Sequence, residues 1–155
     1  MRRPLGTCTA LLLAVLPSSS PARAATTGSE TLLVSATGVG NGAVFTFSAS
    51  GTFTDDGVST STSAVFHAGS SPVVATEFRT TTYSSAHGAG TFTLKSPVLI
   101  SVAAPNTLAL HGEWVVVGGT GRYASLRGAG TLSGTFDLLT LTTNVTLTGH
   151  VTLPR

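Results

Sequence analysis

Charged residues are scarce in this chain, and their scarcity excludes one large class of partners. The 155 residues include eight Lys and Arg and six Asp and Glu. Three of the basic residues (Arg2, Arg3 and Arg23) lie near the N-terminus, so the rest of the chain has five basic and six acidic side chains. A nucleic-acid-binding protein needs Lys and Arg clustered on one face. We therefore expect no nucleic-acid partner.

Reactive side chains are equally scarce. The single cysteine is Cys8, the single lysine is Lys95, and no serine lies in a GxSxG motif. These absences argue against nucleophilic catalysis. The four histidines are scattered and form no recognisable metal-ligand motif: His67, His87, His111 and His150. We expect no catalytic residue of this kind, no metal ion and no cofactor.

No apolar run approaches the roughly 20 residues that cross a membrane as a helix. Instead, the basic pair Arg2-Arg3 precedes a short apolar stretch, Thr9 to Leu16, and the small residues Ala22 and Ala24 follow. This three-part pattern is typical of a secretory signal peptide. We predict a leader over residues 1–24, cleavage after Ala24, and a secreted single domain over 25–155. Because Cys8 lies in the leader, this domain must be stabilised by its core without disulfides.

The chain is rich in Thr, Ser, Val, Leu and Gly, and apolar residues alternate with polar ones in several segments. One such set is Ala43, Phe45, Phe47 and Ala49; another is Leu139, Leu141, Val145, Leu147, Val151 and Leu153. Alternation with period two indicates strands with one buried face. Turn-forming segments divide the chain into eight or nine strands, near 31–37, 43–54, 58–67, 73–83, 90–95, 98–103, 108–117, 130–136 and 138–152. Strands at this spacing predict an all-β fold, either a sandwich or a closed barrel.

A GxGxxA motif within residues 115–130 (VVVGGTGRYASLRGAG) suggests dinucleotide binding at first sight. That function requires a helix directly after the glycines, because the pyrophosphate binds the N–H groups at its N-terminus. Here Gly128 and Gly130 interrupt any helix, and residues 131–136 have β-type sequence. We interpret the glycines as a tight connection between two strands, with positive φ.

Residues 113–131 (EWVVVGGTGRYASLRGAGT) resemble the VVGGTGxFxxARGxG segment of plant dirigent proteins and the Gly-Gly-Thr-Gly segment of allene oxide cyclases. They resemble more strongly bacterial members of the same barrel superfamily, which have GTGxYAGLRGxG after a Trp-bearing strand. The resemblance covers residues 111–137 and, more loosely, 51–95. It implies a closed antiparallel eight-stranded barrel, often trimeric in the plant members, with a cavity for a hydrophobic small molecule. It carries over no active-site residue, because the strands that bear the family's site acids do not align with this sequence.

Two predicted strands have a polar face. In 73–83 the face consists of Glu77, Arg79 and Tyr83, opposite Val74 and Phe78; in 108–117, His111 and Glu113 lie opposite Leu110, Trp114 and Val116. A carboxylate inside an apolar lumen would have a raised pKa and could act as an acid or a base. We expect instead that both polar faces point to solvent and form cross-strand ion pairs.

The glycine-rich run adds Arg122, Tyr123 and Arg127, which either contact a ligand at the rim or stabilise the connection. We favour the second interpretation, in which the guanidinium groups bind backbone carbonyls and Tyr123 plugs the end of the barrel. The candidate ligand-binding residues are then Glu77, Arg79, Tyr83, His111, Glu113, Trp114, Tyr123 and Arg127.

Three functions fit this sequence. The favoured one is a secreted barrel that binds a small hydrophobic ligand in its lumen; the resemblance to the plant members adds a homotrimer to this expectation. The first alternative is an enzyme, either dirigent-like or of the cyclase or isomerase type, that steers a reactive intermediate with Glu113 or Glu77. The second alternative is a structural or surface interaction protein. An open lumen containing one of these acids favours the enzyme, whereas a lumen filled with Phe, Leu and Trp favours the structural protein.

Overall fold

The computed structural model describes residues 30–39 and 44–153, which form a closed barrel of eight antiparallel strands. The strands follow one another around the barrel in chain order, and β8 pairs with β1 to close it. They are β1 Glu30–Val39, β2 Val44–Gly51, β3 Asp55–Ala68, β4 Val73–Ser85, β5 Thr91–Ala104, β6 Thr107–Gly119, β7 Arg127–Asp137 and β8 Thr142–Thr152. The predicted all-β fold is therefore confirmed as a barrel rather than a sandwich. The predicted leader, 1–24, lies outside the described residues.

Alternation correctly identified several buried faces. Phe45, Phe47 and Ala49 of β2 are buried, and so are Val145 and Leu147 of β8. In a barrel this small, inward-facing side chains meet across the lumen and fill it. Within the described residues the helical structure is a three-residue 3-10 turn, Gly121–Tyr123, and no helix is long and apolar enough to cross a membrane.

Two predicted strand boundaries are wrong. The segments 90–95 and 98–103 form one strand, β5, which runs through Pro97 opposite Phe78 of β4. Proline lacks an N–H, and the assigned pairing with β6 is interrupted between Lys95 and Val98. The strand predicted over 138–152 begins only at Thr142, because Asp137 Oδ1 accepts hydrogen bonds of 2.8 Å from the N–H groups of Leu139 and Thr140 and stabilises a turn.

The two ends of the barrel differ. The β2–β3, β4–β5 and β6–β7 connections lie at one end, here called the closed end, where Phe53, Tyr123 and Leu126 are buried. Five aromatic rings pack inside it as the closed-end cluster: Phe47, Phe53, Tyr83, Phe92 and Tyr123. The β3–β4, β5–β6 and β7–β8 connections lie at the open end, where large apolar side chains such as Phe66, Val102 and Leu139 are exposed.

Trp114 of β6 fills the lumen beside the closed-end cluster, and its Nε1 donates a 3.0 Å hydrogen bond to the carbonyl of Thr131. Its ring lies against two glycines of the neighbouring strands β7 and β8. A Cβ at Gly130 or Gly149 would lie 2.7 or 2.4 Å from Cζ2 of the indole. Part of the glycine-rich sequence of β7 therefore makes room for Trp114.

Candidate functional site

A small chamber occupies the middle of the lumen, between the closed-end cluster and the open end. Its free volume is about 20 Å³, enough for about one water molecule. Strands β3, β4 and β5 provide a polar wall: Ser59, Ser61, Arg79, Thr81, Tyr83 and Ser96. Strands β1, β2, β7 and β8 provide an apolar wall: Ala36, Phe45, Leu132 and Val145. The chamber is thus amphipathic across the barrel, and we call it the lumen chamber.

Arg79 is held at the lumen chamber by Glu77, two residues before it on β4. Arg79 Nε donates to Glu77 Oε1 and Nη2 donates to Oε2, each at 2.7 Å. The Glu77 side chain is 3% exposed and that of Arg79 is 22% exposed. A bidentate pair of this kind offsets part of the cost of removing two charges from water. It occupies both carboxylate oxygens and leaves the remaining N–H donors of the guanidinium available to a ligand.

The expectation that the polar face of β4 points to solvent is wrong. Glu77, Arg79 and Tyr83 face the lumen, whereas Val74 and Phe78 on the other face are about half exposed. The ion pair also lies within one strand rather than across two. Alternation defines two faces of a strand but not which of them is inside, and here the paired charges can be buried because each neutralises the other.

The hydroxyl groups of the chamber were not predicted from the sequence. Ser59, Thr81 and Ser96 are buried, and the buried Ser61 hydroxyl has no hydrogen-bond partner among the described residues. An unpaired buried hydroxyl costs about 1–3 kcal/mol. Burial raises the pKa of the Tyr83 phenol far above its usual range, against a smaller lowering by Arg79, so Tyr83 keeps its proton as a donor. Thr81 could have been found, since it shares the alternation of Arg79 and Tyr83.

Strand β6 has the opposite orientation, as expected. His111 and Glu113 are exposed on the outer wall, whereas Leu110, Trp114 and Val116 are buried. Glu113 therefore does not line the lumen, and Glu77 is the acid that does. The two strands have similar polar and apolar alternation but present opposite faces to the core.

Tyr123 and Asp55 stabilise the closed end. Fully buried Tyr123 donates a 2.6 Å hydrogen bond to Asp55 Oδ2, while Oδ1 accepts from Ser85 Oγ and from the Asp56 N–H, each at 2.9 Å. Burial favours a higher pKa for Asp55, but these hydrogen bonds together outweigh it and hold the pKa below the ordinary value of 3.8. The pKa of Tyr123 is raised by burial and by its bond to Asp55. Sequence reasoning missed Asp55, although it lies in residues 51–57 (GTFTDDG), within the region 51–95 of looser resemblance.

His87 joins this network from the β4–β5 turn. Its Nε2 lies 2.8 Å from Asp56 Oδ1, and the hydrogen bond and charge of Asp56 raise the pKa of His87. Ligand atoms of Asp55, Asp56 and His87 lie within 4.8 Å of one another, so these are the residues that could approach a divalent cation. Both oxygens of Asp55 already accept hydrogen bonds. We therefore interpret the hydrogen-bonded residues at this end, here called the cap, as a structural link between the β2–β3, β4–β5 and β6–β7 connections.

The glycine-rich run forms the β6–β7 connection at this end. Gly121 has φ of 56° and lies so close to Ala89 that a Cβ would be 2.5 Å from its carbonyl oxygen. Arg127 Nη1 donates to the Leu126 carbonyl at 2.7 Å, and Tyr123 is fully buried at the end of the barrel, in agreement with the structural interpretation of these two residues. Arg122, expected to bind a carbonyl in the same way, is exposed. A 3-10 turn of three residues replaces the helix that a pyrophosphate site would need.

The structure thus places two of the eight candidate residues, Arg79 and Tyr83, in the wall of the lumen chamber, and a third, Glu77, is buried as the partner of Arg79. Trp114 and Tyr123 pack in the core, and the remaining three are exposed on the outside: His111, Glu113 and Arg127. Comparison of the chain with models of protein families, with curated proteins and with solved structures finds no match. The function is therefore argued from the chamber itself.

Proposed function

We propose that this protein binds a small, mainly hydrophobic molecule that carries an oxygen acceptor, with the acceptor in the lumen chamber. The observation that supports this most directly is the polar wall, where the Ser61 hydroxyl has no described partner and Arg79 has donors beyond those used by Glu77. A barrel core is most stable when it is apolar, so buried hydroxyls and an ion pair are a departure expected at functional sites. The bidentate bond makes Glu77 a residue that positions Arg79.

The apolar part of the ligand would contact the opposite wall. Phe45, Leu132 and Val145 offer hydrocarbon surface within the same chamber. Sites for small molecules commonly combine such apolar walls with a few converging polar groups. The aromatic residues that fill the closed end favour the structural alternative, whereas the polar wall of the chamber favours a ligand. The free volume of about 20 Å³ is smaller than any organic ligand, so binding requires side chains toward the open end to move. Arg79, partly exposed, is the polar-wall residue best placed to do so.

Calorimetric titration with three molecules that share one hydrocarbon chain tests the proposal. Hexanol and hexanoic acid carry oxygen acceptors, whereas hexylamine at neutral pH carries only donors and a charge of the same sign as Arg79. We expect the first two to bind and hexylamine to bind more weakly or not at all. Equal binding of all three, or no binding of the two acceptors, overturns the proposal. In native mass spectrometry, protein purified from its own host should retain a small molecule.

Two substitutions locate the site. The double variant Glu77→Leu with Arg79→Met removes the donors without leaving a single buried charge, and should weaken binding by roughly ten-fold or more, as for a lost hydrogen bond to a charged group. Val145→Phe should block the apolar wall. Lys95→Met and Val115→Phe are matched controls on exposed positions and should bind as the parent does.

We also propose that the chain is a secreted member of the allene oxide cyclase and dirigent barrels. The support is the resemblance of residues 111–137 together with the closed eight-stranded barrel that this resemblance implies. Secretion rests on the leader pattern of residues 1–24. N-terminal sequencing of the protein from the culture medium should begin at Ala25, and an intact Met1 on the secreted protein would refute the leader.

A further inference from the structure

The β3–β4 hairpin extends past the closed part of the barrel and has a free edge. The assigned pairing of β2 with β3 ends at Val44 opposite Thr60, whereas β3 continues to Ala68 and there pairs with β4 alone among the described residues. Within residues 30–39 and 44–153, no strand lies beside the main-chain N–H and C=O groups on one side of the free-edge segment, Ala64–Ala68.

Apolar side chains surround this edge. Val65 and Phe66 on the edge are 54% and 63% exposed, and Val74 and Phe78 on the adjoining strand are about half exposed. Free edges in natural proteins are usually protected by lysine, by proline, by a bulge or by a covering segment. No Asp, Glu, Lys or Arg occurs between Asp56 and Glu77. The irregular pairing lies between Ser61 and Ser63, before the free-edge segment rather than within it.

The first and last described strands, β1 and β8, begin and finish at the opposite end of the barrel from this edge. Strand β1 starts at the closed end with Glu30, and β8 finishes at the closed end with Thr152, whereas the free-edge segment lies at the open end. A covering strand is thus more readily supplied by another molecule. An uncharged edge can pair with a copy of itself, because antiparallel pairing about a two-fold axis brings no like charges together.

We propose that the protein forms a two-fold dimer in which the free-edge segments of two copies pair as antiparallel strands. Phe66, in the middle of the segment, then lies opposite Phe66 of the second copy. The pairing joins two sheets through main-chain hydrogen bonds and covers Val65 and Phe66. The dimer differs from the trimer that the family resemblance implies. The inference does not depend on a ligand in the lumen chamber, and a failure of either proposal leaves the other standing.

Light scattering coupled to size-exclusion chromatography tests the dimer. The parent protein should have the mass of two chains. Phe66→Lys and Phe66→Glu should each have the mass of one chain, because like charges then face each other at the axis. An equimolar mixture of the two variants should regain the dimer mass, which a misfolded variant would not do. Leu139→Lys, at an even more exposed apolar position at the same end but on the β7–β8 turn, should stay dimeric.

Hydrogen exchange gives an independent readout, since amides of residues 64–68 should exchange more slowly as protein concentration rises. A parent protein that is monomeric or trimeric at high concentration overturns the proposal. So does a Phe66 variant with the parent's mass. Monomeric Leu139→Lys would assign association to the apolar rim instead and would equally overturn edge pairing.

Discussion

The two halves of the lumen are built from the same alternating strands but are filled in different ways. Toward the closed end, Tyr83 and Phe92 stack with ring centroids 4.7 Å apart, and Phe53 and Tyr123 pack against them. In the middle, Arg79, Glu77 and several hydroxyls replace the aromatic rings. The first half resembles an ordinary protein core, while the second accepts buried polar groups.

This difference indicates that the two halves of the lumen have different roles. The aromatic half supplies packing and closes one end, with Asp55 and Tyr123 fixing the connections by hydrogen bonds. The chamber half contributes less to stability and presents donors to whatever enters from the open end. If the roles differ in this way, equivalent substitutions in the two halves should have unequal effects on stability.

The largest expected effect comes from truncating a phenylalanine in each half. Phe92→Ala should destabilise the protein by about 3–5 kcal/mol, since Phe92 is fully enclosed by other rings. Phe45→Ala should lie at or below the low end of that range, because Phe45 borders a space that can already admit water. Urea unfolding of both variants measures the difference. Equal losses of unfolding free energy in the two variants would contradict the different roles of the two halves.

The ion pair provides the next test. Glu77→Leu alone leaves Arg79 unpaired in the lumen and should cost about 3 kcal/mol, at the low end for buried pairs because Arg79 is partly exposed. Glu77→Leu combined with Arg79→Met should restore the parent's stability or exceed it. Thermal unfolding of the three proteins is the measurement. A double variant as unstable as the single one would show that the pair stabilises the fold itself.

A smaller effect, which depends on pH, is expected at the closed end. The folded pKa of Asp55 lies below 3.8, so its contribution to stability is present above pH 3.8 and is lost as pH falls through the folded pKa. Tyr123→Phe removes one donor to this carboxylate, at a cost of about 1–3 kcal/mol near neutral pH. The free energy of unfolding of Tyr123→Phe should also fall less steeply than that of the parent as the pH is lowered. If the free energy of unfolding has the same dependence on acidic pH in the parent and in Tyr123→Phe, the hydrogen bond does not have this role.

The smallest effect concerns His87, where both partners are largely exposed. Asp56 raises the pKa of His87, so the contribution of the pair is present below pH 6.5 and disappears as pH rises through the higher folded pKa. An NMR titration should give a His87 pKa above 6.5, and Asp56→Asn should bring it back toward 6.5. Added salt should weaken the shift, because exposed pairs are screened. An unchanged His87 pKa in Asp56→Asn would show that His87 does not interact with Asp56 in the cap.

Residue patterns alone predicted much of the fold. Alternation identified the buried residues of β2 and β8, and turn-forming residues placed most of the strands, because each strand must present one apolar face to a core. The glycine-rich run was rightly interpreted as a connection between two strands. The same reasoning failed at Pro97, which continues β5 where the assigned pairing with β6 is interrupted. It also failed at Leu139, where Asp137 stabilises a turn that alternation does not reveal.

The sequence by itself determined that this chain forms a closed or sandwiched β-structure with little charge, since these properties follow from local alternation and composition. Only the tertiary structure decided which polar face enters the lumen. On β6 the polar residues lie outside, but on β4 the neighbouring Glu77 and Arg79 neutralise each other and can be buried. The serines that complete the chamber come from β3 and β5, which pair with β4 on either side of Arg79. A pattern along one strand contains no information about such neighbours, because they are selected by pairing across the sheet.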